Sequence, residues 1–154
     1  SSVYTSPLKR CKDTVKILSL NHNYISDRNL LEIDYGEAEG MKFINFEKKF
    51  FKIKKLWSEN KDPKFPKGES FKDVSLRVKK FIRKLTKSNS NKSCIITHNG
   101  FLRVLIGESF NIPKEKWYQI YIPHLMKLEF LMINKKLYPN IERDKLKKIF
   151  SNLN

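Results

Sequence analysis

The chain has 154 residues, with 32 Lys and Arg against 16 Asp and Glu, and 40% of its residues are hydrophobic. That length suits one domain over residues 1–154 with a sizeable core, and 11 Phe, 6 Tyr and 2 Trp argue against a disordered tail. No apolar run approaches the roughly 18 residues of a membrane span, and the opening Ser1-Ser2-Val3-Tyr4 is not a signal peptide. Cys11 and Cys94 stand apart inside apolar stretches, without metal or disulfide-framework spacing. Collagen-like, membrane-spanning and disulfide-rich classes are excluded, and a reducing, cytoplasmic setting is expected.

The formal charge of +16 invites a nucleic-acid reading, but basic residues are spread along the whole chain and 26 of the 32 are Lys. Arg, the residue of bidentate phosphate and base contacts, occurs six times. A solvated Lys surface, or a positive field that draws in small anions, accounts for the composition better.

In chain order, Val3-Tyr4-Thr5 reads as the tail of a short strand, and Ser6-Pro7 as an N-cap with proline at the first helical position. Leu8, Cys11, Val15 and Leu18 then repeat at helical spacing, which predicts an amphipathic helix over 7–19. Leu30 to Ile33 is expected to be extended, 44–58 helical, and 62–68 a loop by its prolines and glycine. Ser70 and Asp73 open a further helix with the stripe Val74, Val78, Phe81, Ile82 and Leu85. Cys94 to Thr97 reads as a buried central strand, His98-Asn99-Gly100 as a tight turn, and Phe101 to Phe110 as an apolar helix. A strand over 127–133, a turn at Asn134-Lys135-Lys136 and a helix over 142–153 complete the chain. Strands alternating with helices predict an α/β fold, three layers deep, around a largely parallel sheet. The first strand looks cut into, so a leading βα unit is expected to be missing.

Three local features bear on chemistry. Lys9 and Arg10 sit in the first turn of a helix, where the macrodipole disfavours cations unless an anion lies among them. Both side chains simply reaching into water is the competing reading. Thr97-His98-Asn99-Gly100 ends a buried strand, the place where open α/β sheets bind ligands. There His98 either donates to an anion or is merely satisfied by the protein. Glu32, Asp34, Glu37 and Glu39 form an acidic cluster in a basic chain, suited to acid/base work or to pairing with Lys, and its spacing fails the usual calcium template. His22 and His124 lie in loop-like stretches and are read as structural.

Taken together, the segments resemble one family. Val3-Tyr4-Thr5-Ser6-Pro7-Leu8-Lys9-Arg10 with Thr14, the stretch Leu30 to Gly40, Phe65-Pro66-Lys67-Gly68-Glu69-Ser70 with Val74 and Arg77, and Thr97 to Arg103 are similar, in order, to motifs of the histidine phosphatases, the phosphoglycerate-mutase-like superfamily. The short span between Glu32 and His98 resembles the compact phosphatase branch rather than the glycolytic mutases. The resemblance implies hydrolysis of a phosphomonoester through a phosphohistidine, with no metal or cofactor. In that reading Arg10 and His98 bind the phosphoryl oxygens, Asn99 adds a polar contact, and Glu32 is the general acid and then base, so Glu32 and His98 are the catalytic pair. Glu39 and Glu69 are structural partners. The implied partner is a small phosphorylated substrate; membrane and nucleic acid are not expected, and a homodimer is allowed.

The family's nucleophile lies in an Arg-His-Gly motif, and no Arg-His-Gly occurs in these 154 residues. The chain as written is therefore expected to be inactive alone. Its rivals are a non-catalytic phospho-ligand binder and, third, a basic nucleic-acid-binding protein.

Overall fold

The computed structural model describes residues 1–20, 23–59 and 61–153. Its parallel sheet has β1 (Ser2–Thr5) between β2 (Tyr24–Ser26) and β3 (Ser93–Ile96). The fold is of the α/β class, as the alternation of strand and helix patterns predicts. The central strand, however, is β1. Strand β3 pairs only with β1, Cys94 on it is exposed, and its other edge has no ladder partner among the described residues. A continuous apolar run signals a strand but does not say where the strand sits in the sheet. A second, antiparallel pair joins β4 (Phe130–Ile133) to β5 (Lys136–Pro139). Asn134 and Lys135 make its two-residue turn with φ of 50° and 64°, the left-handed geometry that such hairpins require.

Helix α1 (Lys9–Ile17) buries Cys11 and Val15, while Leu18 beyond its end is exposed. Ser6 is not its cap: Leu8 holds that position, without a side-chain cap bond, and the Ser6 hydroxyl is drawn into the site described below. The segment expected to be one helix over 44–58 is two, α2 (Phe43–Lys49) and α3 (Phe51–Ser58), broken at Phe50 as that side chain turns into the core. Residues 31–35 are irregular, following a 3₁₀ turn at Arg28–Leu30.

Helix α4 (Phe71–Leu85) has the most complete N-terminus. Ser70 and Asp73 form a reciprocal capping box, and Asp62 accepts from the N–H groups of Phe71 and Lys72 at 3.0 and 2.8 Å. Its buried stripe of Val74, Val78, Phe81 and Leu85 joins the hydrophobic core of the molecule. Phe81 meets Tyr4 of β1 and Phe101 of α5 (Asn99–Ser109) edge to face, at 5.5 and 6.0 Å between ring centres. Helix α6 (Arg143–Ile149) is shorter than the predicted 142–153 and buries Ile149. No described helix is long and apolar enough to cross a membrane.

Candidate active site

The site forms where β1 and β3 run out at their carboxyl ends. The amide of Ser6 still donates to the carbonyl of Ile96 at 3.0 Å, so the ladder carries both chains to one level before they diverge into α1 and α5. His98 is the N-cap residue of α5, in extended conformation, so strand passes into helix without the separate tight turn that the sequence suggests. This brings Ser6, Arg10, Cys11 and His98 together.

His98 is 6% exposed. Its Nδ1 lies 3.1 Å from Nε of Arg10, which can only donate, so Nδ1 accepts and the proton of the neutral ring is on Nε2. Nε2–H in turn donates to Ser6 Oγ at 2.7 Å. Burial, then the charges of Arg10 and Arg77, pull the His98 pKa down to about 4, which keeps the ring neutral at pH 7. Both ring nitrogens are thus engaged, and here His98 holds the Arg10 guanidinium in place. The contact uses Nε, not the terminal nitrogens, of Arg10, which is an exposed residue. Ser6 Oγ also accepts from the Leu8 amide at 3.3 Å. Cys11 Sγ packs 3.4 Å from His98 Nε2, and burial pushes its thiol pKa up. Lys9 takes the solvent reading and pairs with Asp13 at 2.7 Å.

Glu32 reaches the same site from the opposite loop. Its Oε1 accepts from the amides of Ile33 (2.9 Å) and Gly100 (2.7 Å), and Gly100 is two residues from His98. A Cβ on Gly100 would stand 2.4 Å from Glu32 Oε1, so only glycine lets the carboxylate approach this first turn of α5. The loop is held by Arg77. Its guanidinium donates to both Glu69 oxygens at 2.8 Å and to the carbonyls of Asn29, Leu31 and Glu32 at 3.0, 3.0 and 3.3 Å. Thr97 Oγ1 adds a bond to the Leu30 carbonyl at 2.8 Å.

The remaining acidic residues have structural partners. Asp34 Oδ1 accepts from Gly36 N, Glu39 Oε1 accepts from Tyr35 N, and Glu37 pairs with Lys67 at 3.0 Å. Gly36, at φ +53°, packs so closely on Pro66 that a Cβ would lie 2.1 Å from its carbonyl oxygen. Bonds from Glu37 N to Pro66 O and from Glu69 N to Asp34 O zip the two motif segments together. Among the described residues, no group of three or more His, Cys, Asp or Glu side chains is placed to hold a metal. Asn99 donates through Nδ2 to the Ile122 carbonyl at 3.1 Å, and its Oδ1 is buried without a partner. One of the two Nδ2 donors is thereby used, and the other remains for a phosphoryl oxygen. His124 is exposed, and His22 lies outside the described residues.

Sequence reasoning gathers Arg10, Glu32, His98 and Asn99, but gives Ser6, Cys11 and Arg77 no part in the site. For Arg77 a signal existed: the spacing Val74, Arg77, Val78, Phe81 puts a charge on the apolar stripe of α4. No local pattern marks Ser6 or Cys11, whose partner His98 lies about ninety residues away.

A parallel sheet with an arginine and a histidine brought together at its carboxyl edge is a fold and site fit for binding an oxyanion. Residues 1–136 match the model of the histidine phosphatase superfamily (branch 1), and the chain belongs to that superfamily. A Hydrogenobacter thermophilus protein named "Putative phosphoserine phosphatase 2" is 26% identical over 138 residues, 87% of this chain and 68% of that protein. A mutant phosphoserine phosphatase from Entamoeba histolytica, solved with phosphoserine, has a TM-score of 0.78 at 19% identity, covering 92% of this chain and 72% of its own. The alpha-ribazole phosphatase of Shigella flexneri has a TM-score of 0.73 at 20% identity, covering 91% and 71%. At these identities the two structures speak for the fold alone.

Proposed function

We propose that this chain supplies the phosphoryl-binding and acid/base groups of a phosphomonoesterase acting through a phosphohistidine. The observation that carries the reading is the Arg10–His98 contact beside Glu32: a neutral imidazole holds a guanidinium by Nε alone, which leaves its fork for a phosphoryl group. In the first step a histidine nitrogen bonds to phosphorus, the bond to the leaving oxygen breaks, and Glu32 Oε2 gives that oxygen a proton. In the second, water bonds to phosphorus and gives its proton back to Glu32, the nitrogen–phosphorus bond breaks, and inorganic phosphate leaves. Arg10 stabilises the charge on the phosphoryl oxygens throughout.

The attacking histidine is not His98, whose ring is occupied by Arg10 and Ser6. In the superfamily that the chain resembles, the nucleophile lies in an Arg-His-Gly motif, which these 154 residues do not contain; a strand carrying it would fit the edge of β3 that has no ladder partner among the described residues, and would end level with His98. The 154-residue chain alone therefore binds phosphate and does not turn over. Calorimetric titration with inorganic phosphate tests this: binding is expected, weakened at least tenfold by Arg10→Ala, with no hydrolysis of p-nitrophenyl phosphate. Binding indifferent to Arg10→Ala, or hydrolysis lost in both Arg10→Ala and Glu32→Gln, would refute it. A steep fall of affinity with salt, as several released counterions produce, would favour a dispersed basic surface instead.

A further inference from the structure

Helix α4, the far end of helix α5 and the β4–β5 hairpin border a groove of about 650 Å³ that takes no part in the reaction above. It lies toward the C-terminal end of α5, away from the Gly100 amide that holds Glu32. Its floor is apolar: Val78 and Ile82 stand one turn apart on α4, Leu105 comes from α5 and Leu137 from β5. All four are buried or half-buried and continuous with the core. The rim is cationic. Lys79 and Arg83, also one turn apart, are exposed on α4, and Lys135 and Lys136 are exposed at the tip of the hairpin. The one carboxylate in the lining, Glu108, is already engaged: it pairs with Lys79 at 3.2 Å and accepts from the Ser75 hydroxyl. Arg83, Lys135 and Lys136 have no carboxylate partner among the described residues. The outer edge of β5 also has no ladder partner among them, but Pro139 has no N–H to give and Lys135 and Lys136 stand at its other end, the marks of an edge closed to strand addition.

We infer that this groove docks an acidic amphipathic helix of another protein. Its apolar stripe lies on Val78, Ile82, Leu105 and Leu137, and its flanking Asp and Glu residues meet Arg83 from α4 and Lys135 and Lys136 from the hairpin. An apolar floor between unpaired cations is complementary to an apolar stripe between acids, and the one-turn repeat of Val78 and Ile82 matches the ridge of a second helix. A second copy of this chain does not supply that partner. Each copy carries a formal charge of +16, and its densest acidic stretch, Glu32 to Glu39, is tied to its own amides and to Lys67. Nucleic acid finds lysines along the whole chain and has no need of an apolar floor for its phosphates.

Fluorescence anisotropy on the 154-residue chain, at about 0.15 M salt to screen dispersed charge, tests this with two labelled peptides of one composition. In the first, leucines at helical spacing form a stripe between glutamates; in the second the same residues are shuffled so that no stripe forms. The chain is expected to bind the striped peptide at least tenfold more tightly than the shuffled one. Arg83→Glu combined with Lys136→Glu should weaken that binding at least tenfold; both side chains are exposed, and circular dichroism checks that the fold is kept. Lys48→Glu combined with Lys52→Glu makes the same change of charge at exposed positions of α2 and α3 and should weaken it less than threefold. A striped peptide that does not bind, or binds no better than the shuffled one, overturns the inference. So does an equal loss in the two double variants, which marks a dispersed basic surface. A single-stranded oligonucleotide of the same charge that binds as tightly, and loses as much with Arg83→Glu and Lys136→Glu, gives the groove to nucleic acid and overturns it as well.

Discussion

Replacing Arg77 by lysine keeps the positive charge and removes the fork, which makes it a direct test of how Glu32 is positioned. In the structure the guanidinium makes two bonds to Glu69 and three to the carbonyls of Asn29, Leu31 and Glu32. The side chains of Arg77 and Glu69 are only 17% and 22% exposed, so this pair differs from a surface ion pair worth almost nothing. An ammonium can keep one contact to Glu69 and one to a carbonyl, so three of the five bonds are lost. At about 1 kcal/mol for each bond lost, Arg77→Lys should cost about 3 kcal/mol. Arg77→Met loses all five, leaves Glu69 without its partner and should cost about 5 kcal/mol. For a chain of this length 3 kcal/mol corresponds to a melting temperature roughly 6–12 °C lower. Urea and thermal unfolding followed by circular dichroism at pH 7 measure both. A cycle with Glu69→Gln should show coupling above about 1 kcal/mol, because the residues share one network. An Arg77→Lys loss below about 1 kcal/mol would refute the idea that this guanidinium clamps the Glu32 loop.

Two further predictions concern His98 and Gly100. Because the folded His98 pKa is near 4 against 6.5 for the free side chain, the unfolded chain binds the proton more readily between those values. Stability is then complete above pH 6.5 and falls as the pH drops toward 4, by at most about 3 kcal/mol. Melting curves across that window should slope less in His98→Asn, and an NMR titration placing His98 near its ordinary pKa would contradict the assignment. Gly100→Ala puts a Cβ 2.4 Å from Glu32 Oε1 and 2.7 Å from Ile33 Cγ2, so it should destabilise by roughly 1–3 kcal/mol despite alanine's better helix propensity. An alanine variant with an unchanged or higher urea midpoint would show that the approach to Glu32 is not tight.

Much of this was legible in the chain itself. Apolar spacing located α1, α4 and α5, and the Ser70–Asp73 pair marked the start of α4 because capping depends only on residues three apart. The resemblance of its motifs to those of the histidine phosphatases singled out Arg10, Glu32 and His98 among the charged residues, and the folded chain brings those three to one end of the sheet. Periodicity reports which face of an element is buried but not what buries it. It therefore did not show that β3, among the described residues, pairs on one side only, or that Phe50 turns inward to split a helix. Nor did it separate a cation facing solvent from one facing an anion site: Lys9 pairs with Asp13 on its own helix, while its neighbour Arg10 reaches His98 across the sheet. The proton position on His98, the hydroxyl of Ser6 beneath it and the Arg77 clamp behind Glu32 all depend on atoms far apart in sequence and within about 3 Å in space. Local sequence determined the elements and the kinds of group available for chemistry. Tertiary structure alone decided which groups meet, because hydrogen bonding and desolvation act over a few ångströms whatever the distance along the chain.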